Sequence, residues 1–233
     1  MRLSIIIPTL NEEDHLGDVV RRLRNGAHDH ELEIIIADGG SSDATRQIAS
    51  ELGVKVMECT ESHRALQMNE AAKSAGGDIL YFVHADSLPP MGYADDVASA
   101  ISNGADLGSF RFKFKSDNRL LRFNSWCTRL NLLSVRGGDQ TLFVKKEVFE
   151  RLKGYCWKHC IMEEYDFMRR SKKEGFKFKL IQKDVEVSAR KYDKNSWLRV
   201  NFANVVAMVM WRLGSSPSRI KNTYFTLLRH PKA

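Results

Sequence analysis

Two short stretches carry side chains whose types and spacing can do chemistry. Ile79-Leu80-Tyr81-Phe82-Val83 is an unbroken apolar run that ends in His84-Ala85-Asp86. Met162-Glu163-Glu164-Tyr165-Asp166 gathers three carboxylates where a helical pattern begins. A carboxylate at the end of a buried strand can hold a hard divalent cation, which needs one or two such groups when phosphate oxygens supply the rest. A carboxylate at a helix start can take a proton from an attacking hydroxyl. Each stretch also has a plainer account. Asp residues after strands are common in turns, and acidic first turns are stabilised by the helix dipole.

The elements that must position these groups follow from periodicity. Residues 79–83 fit a strand covered on both faces, with Gly76-Gly77-Asp78 before it and Pro89-Pro90 after it. Leu3 to Ile7 reads as a first buried strand closed by Pro8-Thr9-Leu10-Asn11. Glu12 to Arg24 then repeats apolar residues at helical spacing, acidic at its start and basic at its end. Glu33 to Ala37 is a second strand ending in Asp38-Gly39-Gly40, and Ser41-Ser42-Asp43 can cap the helix that runs to Leu52. Val54 to Met57 gives a third strand and Arg64 to Ser74 a third helix. Further helices are expected over 93–103, 163–173, 196–213 and 218–228, and strands over 107–115, 141–145 and 176–181. The alternation predicts a doubly wound, mostly parallel sheet. Right-handed crossovers bring the loops after Ile7, Ala37 and Val83 to one rim, where Asp38 and Asp86 meet.

Composition narrows the class. The chain has 233 residues, 43% of them apolar, enough for one α/β domain. No linker or repeat divides it. No stretch approaches the ~18 apolar residues of a membrane span, and the start lacks a signal-peptide pattern, so a cytoplasmic protein is expected. The cysteines are Cys59, Cys127, Cys156 and Cys160. Cys156-Trp157-Lys158-His159-Cys160 has the look of half a zinc site, but its partner pair is missing nearby, so reduced thiols are expected. Charge is uneven. Residues 1–144 hold 15 Lys/Arg and 20 Asp/Glu, whereas residues 145–233 hold 21 and 9. The second part faces either an anionic partner or solvent alone. Nucleic acid is not expected as that partner.

Six motifs in order carry a resemblance: Ile5 to Glu12, Ala37 to Asp43, Arg64 to Asn69, His84 to Asp86, Gly137 to Gln140, and Met162 to Glu164. Together they resemble the family 2 glycosyltransferases of GT-A fold, most closely a small bacterial subgroup often encoded beside radical-SAM and selenium-related genes. The resemblance implies a Rossmann-like three-layer sandwich with a mixed, mostly parallel sheet and C-terminal helices. Residues 1–115 would bind the donor, and residues 116–233 the acceptor. It implies a nucleotide-diphosphate sugar as donor, UDP by default, and a divalent cation, Mn²⁺ or Mg²⁺, as cofactor.

The resemblance also assigns residues. Pro8, Thr9, Glu12 and Asp38 would hold the base and ribose, and a carboxylate such as Asp38 can accept from both. Arg64 would lie near base or phosphate. Asp86 would hold the metal. The family's usual Asp-x-Asp appears here as His84-Ala85-Asp86, so His84 donates to a hydroxyl, ligates weakly or packs. Gly138, Asp139 and Gln140 would border the acceptor pocket, and Arg190 with Trp197 would cover the diphosphate. Glu164 takes the place of the family's base, with Asp166 as the weaker candidate. Neighbouring Glu163 is expected to raise the pKa of Glu164.

The stretch 197–213 is apolar on nearly every side. It buries against the domain, pairs with another subunit, or lies on a membrane surface beside Arg199 and Arg212. The acceptor itself is unknown, with an anionic or lipid-linked molecule suggested by the charge. Two other functions fit the residues: a sugar-nucleotidyltransferase, disfavoured because Pro8-Thr9-Leu10-Asn11 has no glycine, and a non-catalytic sugar-nucleotide sensor.

Overall fold

The computed structural model describes residues 1–129 and 141–228. Among them eight strands form one sheet: β1 (Arg2–Thr9), β2 (Glu31–Asp38), β3 (Lys55–Glu58), β4 (Ile79–Phe82), β5 (Ser87–Leu88), β6 (Leu107–Phe114), β7 (Leu142–Lys145) and β8 (Phe178–Val187). Their order is β3-β2-β1-β4-β7-β6-β8-β5. The β1–β2, β1–β4, β2–β3 and β6–β8 pairings are parallel, and β7 enters antiparallel between β4 and β6.

Period-two alternation sorts side chains onto two faces. Ile5, Ile7 and Tyr81 pack on one side with α1 (Glu13–Asn25), α2 (Thr45–Glu51) and α4 (Tyr93–Ser102). Ile6, Leu80 and Phe82 pack on the other with α3 (Arg64–Ser74), α6 (Lys146–Arg151) and α7 (Glu163–Lys173). This is the expected three-layer α/β sandwich. Two helices, α9 (Trp197–Arg212) and α10 (Pro217–Leu227), follow a short α8 (Arg190–Asp193).

Several elements differ from the sequence reading, among them β5, α6 and α8, which it did not expect. Helix α5 (Arg119–Cys127) was not expected, because it buries only Leu121 and so lacks an apolar stripe; Asn118 Oδ1 caps it by accepting from the Leu120 N–H at 2.9 Å. Strand β8 runs to Val187 rather than stopping at Ile181. Its pairing with β6 shifts between Phe110 and Arg111, which hides the alternation through Gln182-Lys183-Asp184. The expected cap of α2 from the Ser41-Ser42-Asp43 stretch is seen at Asp43, one residue before the N-cap position Ala44: it accepts from the Thr45 and Glu13 N–H groups.

Candidate active site at the carboxyl rim

Strands β1, β2 and β4 all end at one rim. Thr9 pairs with Asp38 in register, and Val83 N–H donates to Ile6 O, so the three loops that follow lie side by side. Pro8 pairs with Ala37 inside β1 and β2. Asp38 is fully buried. Its Oδ2 accepts from the N–H groups of Gly40 and Ser41 at 3.0 and 2.8 Å, and its Oδ1 from the hydroxyls of Thr9 and Ser41 at 3.1 and 2.5 Å. Asp38 therefore builds the loop. A residue that sequence reasoning passed over locks the same junction: Gln67 donates its amide N–H to both Thr9 O and Ala37 O, at 2.9 and 2.8 Å. Its place inside the Arg64 to Asn69 motif was the available signal. Asn69 likewise clamps Tyr155, accepting from its N–H and donating to its carbonyl.

Asp86 and Glu12 meet through Arg190. The guanidinium donates to Glu12 Oε2 and Oε1 at 2.8 and 2.9 Å and to Asp86 Oδ2 at 2.6 Å. Burial alone would lower the pKa of Arg190, but the bonds to Glu12 and the charges of both carboxylates raise it. Arg190, expected to cover the diphosphate, is held here by Glu12 and Asp86. Trp197 opens α9, and no hydrogen bond or ion pair among the described residues joins it to Asp86 or Glu164. Gly138, Asp139 and Gln140 lie outside the described residues.

The acidic start of α7 faces this rim, and its three carboxylates differ. Glu163 is fully buried and accepts from Arg64 Nε, so Arg64 is tied to α7. Asp166 binds Arg169 and Arg170 at 3.1 and 2.7 Å, and Arg170 also donates to the carbonyls of Leu152 and Gly154. Asp166 thus ties the helix to the loop before it. Glu164 lies 3.4 Å from His84 Nε2, a distance for charge attraction and long for a hydrogen bond. The expected rise in the pKa of Glu164 is corrected. Burial pushes it up, but His84 facing the carboxylate at 3.4 Å and the charge of Arg64 outweigh that, and the carboxyl sits below its ordinary range. Arg64 takes up the charge of Glu163, so the neighbouring carboxylate no longer acts as a bare anion.

Cys156, His159 and Asp166 bring ligand atoms within 4.8 Å of one another. Both oxygens of Asp166 already face guanidinium groups, which would repel a dication. All four cysteines are free, as expected. Asp86 and Glu12 also face a guanidinium, that of Arg190, so their two carboxylates, of the type a hard cation takes, are open to one only when Arg190 moves away.

The architecture is the GT-A glycosyltransferase fold. Solved structures that share it include a mannosyltransferase from Pyrobaculum calidifontis in complex with GDP-Man and Mn²⁺ (TM-score 0.72, 18% identity, 96% of this chain and 68% of that one). Another is S. aureus TarS in complex with UDP-GlcNAc (TM-score 0.67, 16% identity, 98% and 74%). The model of the family "Glycosyl transferase family 2" matches residues 4–176, and the chain belongs to that family. Relatives include a dolichol-phosphate mannosyltransferase of Pyrococcus furiosus, 33% identical over 112 residues, which are 46% of this chain and 32% of that protein. The succinoglycan biosynthesis protein ExoA of Rhizobium meliloti is 33% identical over 110 residues, 44% and 33% of the two chains. The matched segment spans about a third of the length of each of these two relatives.

Proposed function

We propose that this chain is a divalent-cation-dependent, inverting glycosyltransferase. It moves a sugar from a nucleotide-diphosphate sugar, UDP by default, to an acceptor hydroxyl, on the cytoplasmic side and with an anionic or lipid-linked acceptor. Residues 1–115 hold the donor and residues 116–233 the acceptor. The observation that carries the reading is the cluster of Glu12, Asp86 and Arg190 at the sheet rim of a family 2 chain. The complexes of TarS with UDP-GlcNAc and of the Pyrobaculum enzyme with GDP-Man and Mn²⁺ support the donor class.

Asp86 would hold the cation, Mn²⁺ or Mg²⁺, which when bound would supply countercharge for the diphosphate. Arg190 exchanges its carboxylate partners for the diphosphate and stabilises the charge that develops as the nucleotide leaves. Glu164 accepts the acceptor's hydroxyl proton as its oxygen attacks the anomeric carbon from the opposite face. No acid is needed on the leaving group, so one base suffices, unlike the carboxylate pair of a glycosidase. His84 orients Glu164 through the contact between them.

The test is nucleotide release from UDP- and GDP-sugars with and without Mn²⁺, together with thermal shifts for the same ligands. A ligand that binds only the folded state raises its melting temperature. Cation-dependent binding with no release across a broad acceptor set would favour the sensor reading.

A further inference from the structure

Helix α9 is apolar on two opposite sides. Val200, Ala203, Ala207 and Trp211 are buried. Leu198, Phe202, Val205, Val209 and Leu213 are between 48% and 79% exposed. These five follow one another at steps of four, three, four and four residues, so they form a single line along the helix. The line is about 22 Å long at 1.5 Å per residue. Helix α5 lies beside it, with Asn124 Nδ2 donating to Asn201 Oδ1 and Tyr192 Oη at 3.2 Å each. It too leaves Leu120, Phe123 and Trp126 about half exposed, the last two with stacked rings. An exposed apolar surface on this scale marks a partner.

Charge says which partner. Among residues 191–228 there are six Lys or Arg and one acid, Asp193. Helix α5 adds Arg119 and Arg122 with no acid. A second copy of the chain meeting this face about a two-fold axis would set basic rim against basic rim, which is repulsive. Anionic headgroups complement the rim, while acyl chains take the apolar line. No helix among the described residues is long and apolar enough to cross a membrane. Helix α9, with 16 residues, suits lying in the interface plane.

We propose that α5 and α9 form a docking surface for an anionic lipid bilayer. Arg190 stands seven residues before Trp197 and binds Glu12 and Asp86, so docking sets the candidate active site beside the headgroup layer. The proposal deepens the membrane side of the proposed function but uses none of its catalytic residues, so either can fail alone.

The experiment is co-sedimentation of the full chain with vesicles of phosphatidylcholine, with and without phosphatidylglycerol. At low salt the anionic vesicles should bind at least about tenfold more protein, and the difference should fade as salt rises. Phe202→Ser with Val209→Ser should lower binding about tenfold without moving the melting temperature or the release of nucleotide from soluble donor. Arg199→Gln with Arg212→Gln should weaken only the salt-sensitive part. Equal weak binding to both vesicle types at low salt overturns the proposal. So does full binding by the Phe202/Val209 variant, or a dimer in sedimentation velocity that this variant abolishes.

Discussion

Arg190 Nη2 lies 2.6 Å from Asp86 Oδ2, across 104 residues of sequence. The same guanidinium forks onto both oxygens of Glu12, so one cation joins the ends of three separate segments. Under the proposed function, a divalent cation arriving at Asp86 would compete with this guanidinium for the same oxygen. The released Arg190 would then be placed to meet an anionic donor, which would couple cation entry to donor capture through one side chain.

Arg190→Gln should uncouple them. Glu12 and Asp86 lose their shared countercharge, so Mn²⁺ alone should bind more tightly, by about tenfold or 1.4 kcal/mol. Turnover should fall by about 10²-fold, because the diphosphate loses a fixed cation as charge develops on it. Calorimetric titration with Mn²⁺ and a release assay read the two effects. Weaker Mn²⁺ binding in the variant would refute the competition.

Asp86→Ala should abolish Mn²⁺-dependent nucleotide binding and leave the fold intact. Glu12 keeps Arg190 neutralised, so no buried guanidinium is stranded. The check is a thermal shift with nucleotide and Mn²⁺ beside a melt without either. A variant that still shows the full Mn²⁺-dependent shift moves the cation site elsewhere.

What the sequence made legible tracks how local each cause is. Strands β1, β2 and β4 were readable because burial on both faces leaves continuous apolar runs. The rim position of Asp86 followed from the end of one such run. The partner of Glu12 was not readable, since 178 residues separate it from Arg190 and a single sequence carries no trace of the pairing. Asp38 shows the converse. Its Gly39-Gly40-Ser41 sequel is an ordinary turn signal, and two N–H groups of that turn hold the carboxylate. The pKa of Glu164 depends on His84 and Arg64, which the fold brings from other elements.

Gly108 tests the sheet itself. It sits where β6 is flanked by β7 and β8, pairing with Phe143 and Lys179. A Cβ there would lie 2.2 Å from Lys179 O and 2.3 Å from the Phe143 ring. One of these contacts is backbone in a paired strand and cannot give way cheaply. Gly108→Ala should therefore cost more than about 3 kcal/mol, at the upper end for a point substitution. Chemical denaturation measures it, and a cost below about 1 kcal/mol would show that β8 can shift.

Glu164 carries the last prediction. It is the one carboxylate of its cluster not committed to an arginine ion pair among the described residues: Glu163 is held by Arg64, and Asp166 by Arg169 and Arg170. Glu164→Gln should keep donor and cation binding and lose about 10²–10⁴-fold in turnover, the usual contribution of a general base. Glu163→Gln should instead lower stability by about 1–3 kcal/mol, because it weakens a buried ion pair whose Arg64 partner is part-exposed, and should lose less turnover. The pH dependence follows from the lowered carboxyl. A base must be ionised to act, so the acid limb that Glu164 sets should lie below its ordinary value of 4.5. Because the folded value lies below the unfolded one, the stability that Glu164 contributes is present above the unfolded value and is lost as pH falls through the folded one. Turnover profiles of the parent and of Asp166→Asn read the limb directly. If Glu164→Gln turns over normally while Asp166→Asn is dead, the base is Asp166, and its ion pairs with Arg169 and Arg170 must open during the reaction.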